Sequence, residues 1–239
     1  MRRAALALAI CLAASPATAR TIVAADYAEP TSRYAHGVLG DDVEHGALRV
    51  TLSDGTRQTA RLPEVLVFED TAPRRVDLDG DGAAELIVVE SHAALGARVA
   101  IWGLVDGRLA RRAATPHIGT RFRWIAPAGA ADLDGDGRVE LAAVDRPHLA
   151  RVLRVWRFRT GPDRLEPLAE APGHSNHRIG ETEISGGIRT CGPMPEIVTA
   201  NADWTQVTAT RLAPDGLVSR PIGPATGPES FARALACAE

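Results

Sequence analysis

The chain has 239 residues, 45 % of them hydrophobic and 24 % charged, proportions that exclude wholesale disorder and collagen-like repetition. A formal charge of -3 gives no basic footprint for nucleic acid. All 27 basic residues are arginine and aromatics make up only 4 %, so a core must come mainly from Ala, Val, Leu and Ile.

The first element in the chain reads as an address. Arg2-Arg3 precedes an apolar run over 4–14, and Ser15-Pro16-Ala17-Thr18-Ala19 follows, the pattern of a secretory signal peptide at 1–19 cleaved after Ala19. Ile10 lacks the small side chain that a lipoprotein site needs before Cys11, and the run is too short to span a bilayer. No other apolar stretch is long enough to cross. The expected location is therefore periplasmic or secreted, with no transmembrane segment in the mature chain. There Cys191 and Cys237 are the only cysteines left, and in an exported protein such a pair is expected to bond.

Residues 20–239 carry a repeat. Asp77-Leu78-Asp79-Gly80-Asp81-Gly82-Ala83-Ala84-Glu85 recurs 55 positions later as Asp132-Leu133-Asp134-Gly135-Asp136-Gly137-Arg138-Val139-Glu140, each followed by an apolar run. A degenerate copy without the acids ends at Glu196, 56 positions further on. A fixed period of this size predicts stacked units. The four units fall roughly at 20–62, 63–115, 116–172 and 173–223, with a C-terminal tail at 224–239, and no linker divides them into separate domains.

Each unit reads as four short strands. The first is expected at 22–27, 34–39, 47–52 and 57–62, and the second at 65–76, 85–90, 98–104 and 109–113. The third is expected at 121–131, 140–144, 151–158 and 165–169, and the fourth at 183–188, 196–200, 206–212 and 217–222. Asp54-Gly55, Asp106-Gly107 and Asp215-Gly216 mark hairpins between the third and fourth strands, and Gly161-Pro162-Asp163 takes that place in the third unit. A short helix is expected at 229–237. The expected class is all-β, a β-propeller-like stack of about four four-stranded antiparallel blades. A small closed ring, an open arc and an oligomeric ring all remain compatible with four blades.

The acidic loops place carboxylates at positions one, three, five and nine and glycines at four and six. Alternating acids on a tight turn aim their oxygens at one centre, and an all-oxygen set selects a hard cation, outside the cytosol calcium. Backbone carbonyls of Ala83 and Arg138 would add the seventh-position ligands. An EF-hand needs a glutamate at position twelve, but Val88 and Ala143 stand there, and flanking helices are missing.

The two stretches DLDGDGAAELIVV and DLDGDGRVELAAV resemble FG-GAP / VCBS repeats, the calcium-loop blades of integrin-type β-propellers. The resemblance implies two Ca2+ sites, one held by Asp77, Asp79, Asp81 and Glu85 and the other by Asp132, Asp134, Asp136 and Glu140. Glutamate replaces the family's usual aspartate at position nine in both loops, with a longer arm and looser coordination. Without an ion the acids repel one another, so the loops are expected to be mobile when empty. All donors come from the protein, so the metal would be structural rather than catalytic.

Strand alternation puts the acidic loops on one face and most histidines on the other. His45, His92 and His148, with Trp204 in the fourth unit, occupy the loops between second and third strands, while His117, His174 and His177 lie in connectors. The expected ligand face comprises His92, Arg121, Arg123, Asp145, His148, His177, Arg178, Glu181 and Trp204. It suits a polar ligand, or a second metal held by histidines and acids.

No catalytic residue is assigned: Gly-x-Ser-x-Gly, His-Glu-x-x-His and phosphate-loop patterns are missing, and His177 with Glu181 is the one acid–base candidate. Trp102 and Trp156 read as blade packing. The function expected is an exported, calcium-stabilised binding or scaffold module for an unidentified protein or carbohydrate. The alternative is a propeller enzyme, a polysaccharide lyase or hydrolase, with its site opposite the calcium loops.

Overall fold

Short alternating runs of Ala, Val, Leu and Ile cut by Asp-Gly pairs give antiparallel strands joined by tight turns. The clearest turn holds Asp106 and Gly107 at φ 50° and 75°, both positive, as a two-residue hairpin of the right twist requires. The computed structural model describes residues 20–159 and 165–238. The signal peptide with its cleavage site, Cys11 and the 161–163 turn lie outside these residues.

The first unit contains β1 (Ile22–Thr31), β2 (Glu44–Leu52) and β3 (Arg57–Arg61). The second contains β4 (Leu66–Phe68), β5 (Arg74–Val76), β6 (Glu85–His92), β7 (Gly96–Val105) and β8 (Arg108–Ala114). The third contains β9 (Ile125–Ala131), β10 (Glu140–Asp145), β11 (Val152–Phe158) and β12 (Leu165–Pro172). The fourth contains β13 (His174–Ser175), β14 (Gly187–Arg189), β15 (Glu196–Asn201), β16 (Gln206–Ala213) and β17 (Gly216–Pro224), followed by α1 (Pro228–Leu235). The class is all-β, and the antiparallel units are consistent with propeller blades. No helix among the described residues is long and apolar enough to cross a membrane.

The strands form three sheets rather than four. The strand expected at 34–39 does not exist. Gly37 and Gly40 adopt positive φ there, Tyr34 and Val38 turn inward to 1 % and 2 % exposure, and residues 33–43 become a loop. β2 is therefore flanked by β1 and β3, and the first unit has three strands. β4 then bridges the first two units, pairing Phe68 with His45 of β2 on one edge and with Glu90 of β6 on the other.

The first strands of two units are broken. β4 and β5 both pair with β6, and β13 and β14 both pair with β15. The strand expected over 65–76 thus leaves the sheet at 69–73; of the one expected over 183–188 only 187–188 pairs, and an unexpected piece at 174–175 pairs instead. In the third unit β9 begins at Ile125 rather than at Arg121 and carries one register shift. These excursions, with the 33–43 loop, carry the groups that line the cleft described below.

Cores fill the spaces between successive units. Leu48, Val50, Phe68, Leu86 and Trp102 pack between the first and second, and Ile87, Val99, Trp124, Leu141 and Trp156 between the second and third. Val144, Leu153, Val155 and Ile197 pack between the third and fourth. A strand with neighbours on both faces needs no polar side, which is why β6 and β10 read as unbroken apolar runs. Beyond the fourth unit α1 covers Val198, Ala200 and Val207 with Phe231 and Ala234. Burying Phe231 there contributes about 2–3 kcal/mol. The first and fourth units also meet: Gly180 N–H donates to the Val38 carbonyl at 3.0 Å. A Cβ on Gly40 would lie 2.9 Å from the Gly180 carbonyl oxygen, so that contact needs glycine.

Candidate metal loops and recognition cleft

Both acidic loops fold the same way. Gly80 and Gly82 N–H donate to the Asp77 carboxylate at 2.8 and 3.0 Å, and Gly135 and Gly137 N–H donate to Asp132 at 2.7 and 2.9 Å. Ala83 N–H donates to Asp81, as Arg138 N–H does to Asp136. Gly82 and Gly137 hold φ of 83° and 84°, a region an L side chain reaches only under strain. Each loop thus brings three acids together. Carboxylate oxygens of Asp77, Asp79 and Glu85 lie within 4.8 Å of one another, as do those of Asp132, Asp134 and Asp136. Asp81 stands outside the first group and Glu140 outside the second.

The ninth-position glutamates are already engaged. Glu85 Oε2 accepts Leu78 N–H at 2.9 Å, and its other oxygen pairs with Arg112, which also donates to Asp79 at 2.8 Å. Glu140 Oε2 accepts Leu133 N–H at 2.9 Å, and Oε1 accepts Arg157 Nε–H at 2.7 Å. Arg157 reaches on to Asp134 at 2.6 Å and Asp136 at 3.1 Å. Burial pushes both glutamates above their ordinary range, and the backbone and arginine donors pull the other way. Asp79 Oδ1 is buried and has no hydrogen-bond partner. The donor set, hard oxygens with one orphaned, fits a divalent cation.

The degenerate third copy keeps only the glutamate. Glu196 accepts from Arg189 and Arg220, at 2.8 and 3.0 Å for its Oε2. Burial alone would raise its carboxyl, but the two arginines outweigh it and hold it below the ordinary range. In place of acids the loop carries Cys191, bonded to Cys237 just beyond α1. Arg189 Nη1 also donates to the Ala234 carbonyl at 3.0 Å, so charge and disulfide pin the same tail.

Elsewhere a cleft of about 400 Å³ opens over Trp124. Trp124 is 2 % exposed and donates Nε1–H to the Glu69 carbonyl at 2.8 Å. The Glu69 carboxylate, fully buried, accepts His36 Nδ1–H at 2.5 Å and the Ser91 hydroxyl. Burial pushes Glu69 up, while those two donors favour its charged form. His36 stacks on Phe122 at 5.0 Å. His177 Nε2 lies 2.8 Å from the Glu181 carbonyl and must donate to it, so its Nδ1 accepts from His148 Nε2 at 3.0 Å. Burial lowers the pKa of both rings, that of His148 to about 4, so both are neutral near pH 7.

The expected ligand face divides. Arg123 and His148 line this cleft, with His177 behind them and Arg121 over the Phe122 ring at 4.4 Å. Arg178, Glu181 and Trp204 lie apart, around a second hollow beside α1, with Arg178 over the Trp204 ring at 4.1 Å. His92 packs edge-on against His117, and Asp145 is held between Arg146 and Arg154. His174 is a satisfied core group between Thr199 and Ser219, not a rim residue, and His45 stacks on Tyr27. The candidate pair His177–Glu181 meets through a backbone carbonyl, not a carboxylate. Trp102 and Trp156 are core packing, as expected.

Sequence reasoning missed His36, Val38, Phe122, Trp124 and Ile179. The signals available were Gly37 and Gly40 with the Asp41-Asp42 pair, which break the strand pattern, and two aromatics in the run Arg121-Phe122-Arg123-Trp124.

Residues 77–143, from the first acid of one loop into the second strand after the next, match the profile of the FG-GAP-like repeat. No curated protein matches the chain.

Proposed function

We propose, from the premise that residues 77–143 are an FG-GAP-like repeat, that this chain is an exported, calcium-stabilised β-propeller-type module that binds a protein or carbohydrate partner. The observation that carries the reading is the pair of acidic loops with matching backbone hydrogen bonds, one with the buried Asp79 oxygen unpartnered. Asp77, Asp79, Asp81 and Glu85 would hold one Ca2+ and Asp132, Asp134, Asp136 and Glu140 a second, with the carbonyls of Ala83 and Arg138. Glu85 and Glu140 also fix the turns through Arg112 and Arg157, and Asp81 and Glu140 stand at the edge of their sets. When bound, the ion neutralises mutual carboxylate repulsion; it leaves no reactive group for a substrate. The Cys191–Cys237 bond and the N-terminal signal pattern support a periplasmic or secreted location.

Calcium titration of the full chain by calorimetry, paired with thermal unfolding, tests this reading. Two equivalents should bind, and chelation should lower Tm, because a site at about 100-fold its Kd contributes about 2.7 kcal/mol. No bound calcium and no change in Tm would overturn it.

One observation favours the alternative of a lyase or hydrolase: His36, held by a buried carboxylate, has the arrangement of an oriented general base. Among the described residues no serine, cysteine or acid lines the cleft beside it, so the base would have to act on water or on a substrate proton. Reducing-end release from a uronate-containing polysaccharide, lost in His36→Gln, would move the chain to the enzymes.

A further inference from the structure

The Trp124 cleft combines two features that an idle surface lacks. The first is apolar. Ile179 and Leu149 are 72 % and 62 % exposed, the most exposed large apolar side chains among the described residues, and both stand on this one cleft. They come from different units, so the fold and not the local sequence brings them together. Single exposed aliphatics are ordinary; two flanking an aromatic floor make a contiguous patch, the kind that marks a binding surface.

The second feature is charge. Arg121 lies over Phe122, and Arg123 donates to the Phe122 carbonyl at 3.0 Å; neither has a carboxylate partner within 4.0 Å among the described residues. Arg146 lines the cleft with its charge already matched by Asp145. Among the described residues no acid lines it, since Glu69 is sealed beneath His36 and Ser91. The rim therefore carries positive charge without an internal answer, around a patch that water solvates poorly.

We infer that this cleft docks an extended segment of a partner protein in which a large apolar side chain is flanked by carboxylates. The side chain enters between Leu149 and Ile179 over Trp124, and the carboxylates pair with Arg121 and Arg123, whose planar forks suit them. A small carboxylate on the floor would leave Ile179 and Leu149 in water, whereas a chain running along the mouth covers both. A neutral glycan offers neither the large apolar group nor the charge. The inference rests on the binding-module reading and names the partner for that role.

Fluorescence polarisation with the full chain tests it. The probe is a labelled peptide of about ten residues with a central leucine between aspartate pairs in a Gly/Ser background. Controls exchange the aspartates for lysine or the leucine for serine, and decanoate serves as a competitor. Saturable binding of the acidic leucine peptide is expected, weakened about tenfold or more by Arg123→Glu or Ile179→Ser and by added salt. Arg57→Glu, an exposed change outside the lining, should leave it unchanged. Equal binding of either control peptide, unaltered binding to Arg123→Glu, or no saturable binding would overturn the inference. Displacement by decanoate at matching concentration would assign the cleft to a small carboxylate and overturn it too. Each titration is run with calcium and with chelator beside a melting curve. Lost peptide binding with calcium-dependent melting intact strikes this inference alone; melting indifferent to calcium strikes the metal reading, whether or not the peptide binds.

Discussion

Replacing Arg157 with methionine probes how the second acidic loop is held. Arg157 and Glu140 are 7 % and 0 % exposed, and methionine keeps most of the volume while removing the charge. Glu140 would then be a buried carboxylate with only the Leu133 N–H to answer it. Removing one partner of a buried ion pair costs about 3–5 kcal/mol, because the remaining charge stays desolvated. The contacts to Asp134 and Asp136 add little, since those carboxylates are 31 % and 33 % exposed and water screens them. At about 2–4 °C per kcal/mol for a domain of this size, Tm should fall by roughly 6–20 °C. Glu140→Gln leaves a neutral acceptor for Leu133 and should cost less. The double variant should recover most of the loss, because both charges are gone. Calorimetry in chelator on wild type, the two single variants and the double gives the coupling energy directly. A loss below about 1 kcal/mol for Arg157→Met, or simple additivity in the double variant, would refute the clamp.

Three further outcomes follow from the same reasoning. Burial, with Glu69, Asp41 and Asp70 nearby, pushes Glu44 up to about 9, so the folded state keeps a proton that the unfolded chain releases. The Glu44 contribution to stability is therefore present below its ordinary value of 4.5 and falls as pH rises towards 9, by at most about 1.4 kcal/mol per pH unit. Glu44→Gln should flatten that slope in denaturant titrations run across this range; an unchanged slope would refute the assignment. The 46-residue separation of Cys191 and Cys237 suggests about 3–4 kcal/mol from the disulfide on the chain-entropy model. Thiol titration of the unfolded, unreduced chain should find none free, and reduction should lower Tm. Phe231→Ala should cost about 3–5 kcal/mol by stripping α1 from the fourth unit, read by the denaturation midpoint.

The repeat was legible because its chemistry is local. Acid–glycine alternation and Asp-Gly hairpins act within a few residues, and the disulfide needed only two surviving cysteines. The clamps were not legible, because Arg112 and Arg157 reach their glutamates from 27 and 17 positions away and arginine is the only basic residue this chain uses. The cleft was harder still. Tyr34, His36 and Val38 alternate like a strand, and only the glycines at 37 and 40 and the meeting with Gly180 explain why they form a loop. The ligand face assumed that histidines in corresponding loops share a rim. The broken first strands send His174 inward and carry Arg178 and Glu181 to another hollow.

The arginine grip on the glutamate that opens the second strand occurs in the copy that lost its acids as well as in the two that kept them. In that third copy a disulfide-bonded cysteine stands in the loop that lost its acids, and the grip comes from Arg189 and Arg220 of the first and last strands of the unit. Guanidinium keeps its charge at any pH a living cell meets, so these arginines brace the corner between first and second strands whether or not an ion is present. The register of the sheets at these corners therefore rests on charge that the protein itself supplies.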